Sequence, residues 1–411
     1  MVSSVGEAAV SGVNIIDNIN NLFIIAFVAL CTGGTVVVSQ YIGRADTAGA
    51  HAASRQLYYT VLIASTLIMM PVMIFRREII YLLYGAVEND VMDSASIYLL
   101  ITAASYPFLG IYNACAALFR SAGNSKIPMC IAFMVNCTNI IGNSILIYGF
   151  RLGAAGAAIA TLTSRIIAAV VLTVMLIHNR SPIGLEGLHR FRINRPMAAR
   201  ILKIGIPTGL ETSMFQTGRL LTQRIFTFFG TAAIAGNAIA SVINSFSFMP
   251  GMAFSMGLLT IVGQCMGGGN TESAKQNTVR IVKWSWLTLF VLSGIILLFL
   301  DPLISLFRLS PEAYTMAKSF LQVHCISMAI GWSFSFALPN ALRASGDVRY
   351  VMVCATVSMF AVRVTLAYFI TFALGVGPLG VWIAMGLDFL VRGTCYLIRW
   401  KSGKWQEKTV I

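Results

Sequence analysis

Charge is what this chain has least of. Asp, Glu, Lys and Arg supply 11% of its 411 residues while 57% are hydrophobic, against about a quarter charged in soluble domains. That shortage excludes a soluble two-domain protein, because no soluble core buries so many apolar helices. Histidine is scarce and scattered, at His51, His178, His189 and His324; a membrane-embedded hydrolase or oxidoreductase would cluster such groups at one membrane face, so the chain is read as not an enzyme. The cysteines (Cys31, Cys115, Cys130, Cys137, Cys265, Cys325, Cys354, Cys395) form no Cys-x-x-Cys and no metal-ligand spacing, which leaves small buried thiols and no metal or cofactor. No Gly-Lys-Ser/Thr follows the glycines at 267–269, which excludes a phosphate-binding loop. No cleavable signal peptide is expected, since the first apolar segment is long and spotted with polar residues. Basic residues outnumber acidic ones, for a net charge of +14. They lie dispersed in loops without a nucleic-acid motif, so no nucleic-acid partner is expected.

What remains is a succession of apolar runs, each at or beyond the ~20 residues a helix needs to cross a bilayer. The fold class is an all-α polytopic membrane protein, multi-pass in the cell membrane and monomeric, with the lipid bilayer as its solvent. Eleven spans are read at 8–39, 48–75, 91–119, 127–149, 153–179, 198–229, 231–264, 272–300, 311–342, 348–374 and 378–400, with short interfacial pieces at 76–90 and 301–310. Pro107 and Pro250 are expected to break or kink their spans.

The chain also contains itself. Sliding residues 6–50 onto 230–274 at an offset of 224 matches Gly6, Gly12, Ile15, Asn20, Gln40, Gly43 and Thr47, among others, with their own residue type. Arg120-Ser-Ala-Gly123-Asn124 meets Arg343-Ala-Ser-Gly346-Asp347 at an offset of 223, and Gly153/Gly156 meet Gly377/Gly380 at 224. A match that keeps register marks duplication. It predicts two pseudo-symmetric helical lobes: residues 1–180 with five spans, a linker at 181–197, and residues 198–411 with six. The helix at 203–229 has no counterpart before Met1, so a further first helix is expected upstream. Lys and Arg concentrate in one alternate set of loops (Arg44, Arg55, Arg120, Lys126, the 180–203 stretch, Lys275, Arg280, Lys283, Arg343, Arg349 and the C-terminal tail), while the other set has Arg76, Arg77, Arg151, Arg308 and Lys318. The first set, with the linker and C-terminus, is expected in the cytoplasm.

Polar groups inside spans are expensive and mark sites or structural pairs. Asp17 sits among Asn14, Asn18 and Asn21, which share one helix face and read as a cavity lining or as helix–helix hydrogen bonds. Glu211 follows Gly205-Ile-Pro207-Thr-Gly209, and Gln216, Arg219 and Arg224 continue down that helix; Arg219 is the expected partner of Glu211. Asp388 precedes Arg392 by one turn, the spacing of an ion pair. Asn139 and Asn143 are likewise i, i+4, and Arg363 takes the place of Asn139 in the second copy. Arg165, Arg219, Arg224, Arg363 and Arg392 fall within spans, and some of them are expected to snorkel to an interface.

At these residues the chain resembles the multidrug and toxic compound extrusion (MATE) family. The resemblance rests on the opening at 1–10, on Gln40-x-x-Gly43-x-x-Asp46 and Gln264-x-x-Gly267-x-x-Asn270, and on Arg120-x-x-Gly123-Asn124 and Arg343-x-x-Gly346-Asp347. It covers essentially the whole chain, and the ordered set is more specific than any one motif. It implies six plus six helices around a central cleft and export of organic, cationic and drug-like compounds against inward H⁺ or Na⁺. The family's first-lobe ion site pairs a first-helix Asp, which would fall upstream of Met1, with an Asn-x-x-x-Asp/Asn that Asn139 and Asn143 match, placing any Na⁺ near them. Some members use a carboxylate in the helix that holds Glu211, though nearer its middle. The resulting substrate and ion candidates are Asn14, Asp17, Asn18, Asn21, Asn139, Asn143, Glu211, Gln216, Arg219, Arg363 and Asp388. The alternative is a lipid-linked oligosaccharide flippase of the wider superfamily, which would carry Arg219, Arg224 and Arg363 in a cationic cavity.

Overall fold

A computed structural model of the chain describes residues 7–85, 88–178, 182–188, 191–408 and 410–411. Residues 1–6, Arg180, His189 and Arg190 lie outside the described residues. Among the described residues every regular element is helical. In order they are α1 (Glu7–Gly43), α2 (Thr47–Ile74), α3 (Arg76–Tyr84), α4 (Asn89–Ala104), α5 (Tyr106–Ser121), α6 (Lys126–Asn143), α7 (Gly153–His178) and α8 (Arg195–Thr227). There follow α9 (Gly230–Ser247), α10 (Met249–Gly267), α11 (Thr271–Leu298), α12 (Leu300–Ser305), α13 (Pro311–Ser327), α14 (Leu338–Ser345), α15 (Val348–Val357), α16 (Thr365–Tyr368) and α17 (Leu379–Lys401). Wider π-helical turns extend α6 (Ser144–Gly149), join α13 to α14 (Met328–Ala337), join α15 to α16 (Ser358–Val364) and follow α16 (Phe369–Ala373).

Among the described residues nine helices are long and apolar enough to cross a membrane, and α4 with α5 forms a tenth, bent by 44°. The bend falls at Ser105, with Pro107 in the first turn of α5, as its missing N–H requires. The span expected at 231–264 is likewise broken, at Phe248, with Pro250 opening α10. The expected span at 198–229 is α8. It is long enough, but Glu211, Arg219 and Arg224 leave it too polar to qualify by composition. Large apolar side chains such as Phe133, Leu298 and Ile398 stand exposed, a liability in water and the natural state against lipid.

Two compact units divide at Gly209 and Leu210, inside α8, not at the 181–197 linker. The reason is that the linker is not loose. Ile183 and Leu185 are fully buried, Arg55 and Tyr59 donate to the carbonyls of Glu186 and Leu188 at 2.6 and 2.8 Å, and Gln56 holds Arg192 and Asn194. The first half of α8 then crosses α1 where only glycine fits. A Cβ on Gly205 would stand 3.1 Å from the Leu30 backbone, and one on Gly33 would run into Ile201 and Gly205. In the first unit the core is built on Ile16, Phe27, Leu99 and Tyr106. In the second it is built on Phe320, Trp332, Trp382 and Phe389.

The duplication is written into the element boundaries. Shifted by 224, α2 falls on α11 residue for residue, and α1 covers α9 plus α10. The caps repeat as well. Asp46 accepts from Gly49 N at 2.7 Å to open α2, and Asn270 accepts from Ser273 N at 2.8 Å to open α11, which satisfies amides that the helix leaves unpaired. Gly123 and Gly346 both sit at positive φ and close the turn with amides returned to Arg120 and Arg343. α1 and α10 end at Gly43 and Gly267, and the left-handed position two residues on is filled by Ala45 (φ 58°) and by Gly269 (φ 73°). A Cβ in that region costs about 1–2 kcal/mol. Ala45→Gly is therefore expected to stabilise the protein by about 1 kcal/mol, read as a higher melting temperature in detergent; an unchanged or lower value would place the strain elsewhere.

Candidate functional site

Each unit carries its own polar network. In the first unit, Asp17, Asn14, Asn18 and Asn21 occupy one exposed face of α1, as their spacing requires. Tyr98 on α4 donates to the Asp17 carboxylate at 3.3 Å, and the buried Tyr106 on α5 donates to Asn20 Oδ1 at 2.8 Å. Arg165 lies on α7. It donates to Ser105 Oγ at 2.6 Å, in the break between α4 and α5, and has Asp17, Tyr98 and Tyr106 as electrostatic neighbours. The kink thus has a second role: it exposes a hydroxyl acceptor that anchors a membrane arginine beside the α1 carboxylate.

A second cluster lies between α6 and α7. Asn143 donates to Asn139 Oδ1 at 2.9 Å, and Asn139 donates to Thr161 Oγ1 at 3.2 Å. Asn143 Oδ1 is buried without a partner. Three neutral oxygens in one place, one of them unused, are donors of the kind a hard monovalent cation takes. Among the described residues no group of three or more His, Cys, Asp or Glu could hold a metal.

In the second unit Glu211 pairs with Arg343 on α14 at 2.6 Å, both side chains 12% exposed, and Arg343 also donates to Asn340 at 2.8 Å. Arg219 is therefore not its partner: it lies two turns further along α8, while Arg343, read from sequence as a loop cation, folds back into the unit. Gln216 is half-buried on α8. Asp388 is fully buried and accepts from Ser358 at 2.5 Å. Arg392 stands 3.3 Å away but without hydrogen-bond alignment, so their attraction is electrostatic. Phe336 lies 4.4 Å and Phe215 5.5 Å from the Arg392 guanidinium, and Phe215 also covers Arg363 at 5.5 Å.

Arg363 is the outlier. It is 7% exposed and its Nε has no partner. Ser358 and Arg363 stand five residues apart in one π-helical segment, whose i→i+5 turns bring such residues toward one face. Both then address α17. Arg363 and Arg219 line a cavity of about 60 Å³ with Asn237, Asn244 and Trp382, enough for a few waters or a small polar group. Arg224, near the end of α8, is exposed and does not line it.

The MatE family model matches residues 1–145 and 207–369. The chain belongs to the MatE family. Among similar MatE relatives, the "Probable multidrug resistance protein NorM" of Thermotoga maritima is 28% identical over 98% of this chain and 87% of its own length. The "Uncharacterized transporter YisQ" of Bacillus subtilis is 26% identical over 99% and 90%. Among solved structures, a MATE crystal structure in the bent conformation superposes with a TM-score of 0.90 at 18% identity, covering 98% of this chain and 89% of that one. A Pyrococcus furiosus transporter described as having a binding pocket of reverse polarity gives 0.90 at 19%, covering 99% and 91%. These structures establish the MatE fold for the chain.

Proposed function

We propose that this chain is a secondary antiporter that exports small organic compounds in exchange for H⁺ or Na⁺ by alternating access, and that it is not an enzyme. Family membership and the multidrug resistance names of its relatives support export. The observation that carries the coupling is Asp17: an intramembrane carboxylate on an accessible helix face, held by Tyr98 and set beside Arg165. Exchange needs a group that the ion and the substrate occupy in turn, because only differential binding shifts a conformational equilibrium. A carboxylate with one tyrosine donor and a nearby guanidinium can change partners when a proton or an organic cation arrives. The Asn139–Asn143–Thr161 cluster supplies neutral oxygens that would suit Na⁺, with the free Asn143 Oδ1 as the spare ligand. Asn14, Asn18, Asn21 and Gln216 are proposed substrate contacts.

Asp17→Asn is expected to lower gradient-driven efflux of a fluorescent organic cation at least tenfold at equal protein level, and Glu211→Gln to lower it as well. Parental efflux from both variants would remove these residues from the mechanism. A second reading, transport of an anionic lipid-linked substrate, is favoured by one observation, the pairing of Arg219 and Arg363 in one cavity.

A further inference from the structure

At one end of the second unit, α11, α14, α17 and the segment after Lys401 enclose a groove of about 530 Å³, within the size range of small-ligand sites. Its floor is apolar, with Val282, Phe334, Leu338 and Leu397. Its rim is basic. Lys275 and Lys283 project from α11 and Lys401 from the end of α17. All three are exposed, none takes part in an ion pair among the described residues, and no carboxylate lines the groove. Glu272, one turn before Lys275, is engaged by Gln276 instead.

Tryptophans complete the rim, and they fix its shape. Trp405 is fully buried, stacks on Trp400 with ring centroids 4.1 Å apart, and donates to the Trp400 carbonyl at 3.0 Å. Arg399 donates to Asp347 at 2.6 Å, and a Cβ on Gly346 would meet Val410 at 2.7 Å. The tail after α17 is thus folded back as a wall. Lysines that only snorkel need no concave, tryptophan-walled floor beside them. An apolar floor, an indole wall and three ammonium groups along the edge match one molecule: an acyl chain below, the interfacial glycerol region at the indoles, and a phosphate above.

We propose that this groove is a binding site for an anionic phospholipid, whose headgroup phosphate is held by Lys275, Lys283 and Lys401. The full chain in detergent, given dioleoyl phosphatidylglycerol or dioleoyl phosphatidylcholine and read by native mass spectrometry, tests it. The parent is expected to retain phosphatidylglycerol preferentially. The Lys275→Gln/Lys283→Gln/Lys401→Gln variant is expected to lower that retention at least tenfold, since each basic group near a phosphate contributes strongly. Arg44→Gln/Lys126→Gln/Arg349→Gln removes the same charge at exposed positions outside the groove lining and is expected to leave it intact. Val279→Trp fills the groove from an exposed position without altering charge, and is expected to lower retention even if the lysine variant does not fold. No preference in the parent, equal loss from both charge variants, or full retention by Val279→Trp would each overturn the assignment. Displacement of bound phosphatidylglycerol by free glycerol phosphate as readily as by added phosphatidylglycerol would overturn it as well, by making the site one for a soluble anion.

Discussion

Glu211→Met is expected to cost the fold about 3–5 kcal/mol, the usual penalty for stranding one member of a buried ion pair, read as a large fall in melting temperature in detergent. The geometry makes the penalty large. The pair joins α8 to α14 at 2.6 Å with both side chains 12% exposed, so solvent screens it little. Arg343 is held further by Asn340, and its Nε is already buried without a partner. Arg343→Met should cost less. A stranded carboxylate can escape its desolvation by taking up a proton, whereas a guanidinium stays charged. The double variant Glu211→Met/Arg343→Met should recover most of the loss, because an apolar pair of similar volume is often no worse than the ions it replaces. A double-mutant cycle with additive single effects would mean that the two groups do not stabilise each other.

The Glu211 partnership also shows where sequence reading stopped. Period and register carried the fold: the 224-residue offset read from Gly12, Asn20, Gln40 and Gly43 reappears in the bounds of α2 and α11 and in the caps at Asp46 and Asn270. Such features are local, and a helix cap or a left-handed turn is fixed within five residues. Local spacing likewise placed Asn139 beside Asn143 and Asp388 beside Arg392. What failed was long-range. Arg343 looked like one more loop cation because it adjoins the turn at Gly346, and only packing shows it facing α8. Arg165, one of five basic residues within spans, had no assigned partner because its acceptor, Ser105, sits at a helix break sixty residues earlier. Its signal was available in principle: a mid-span arginine must be paid for by some acceptor, and Tyr98, Tyr106 and Asp17 were the polar groups at its depth. The grouping of Ser358 with Arg363 was hidden for a different reason. A period of 3.6 puts residues five apart on different faces, and the π-helical turn that reunites them has no composition signature.

Arg363→Met is expected to raise stability while lowering transport, and this opposition is what separates a site from a structural ion. Around α17 the second unit buries two guanidinium groups, Arg363 and Arg392, against one carboxylate, Asp388. Asp388 is engaged by Ser358 and its charge is shared between Arg392 and Arg363, so Arg363 has only a shared counter-charge, the ring of Phe215 at 5.5 Å and an unpartnered Nε. A cation–π contact is worth about 0.5–2 kcal/mol, whereas desolvating an ion costs several. The second figure wins, so removing the charge at constant side-chain length should stabilise the protein by roughly 1–3 kcal/mol. Proteins keep such a group where function needs it. Arg363 faces the cavity that it shares with Arg219, Asn237 and Trp382, so its variant should transport substrate several-fold more slowly at equal protein level. The substrate dependence then divides the two readings. If efflux of organic cations is unimpaired and that of an anionic compound falls, the cavity serves anions and the lipid-linked reading gains. If Arg363→Met melts lower than the parent, the guanidinium is a structural partner of Asp388, and the cavity loses its claim to be a site.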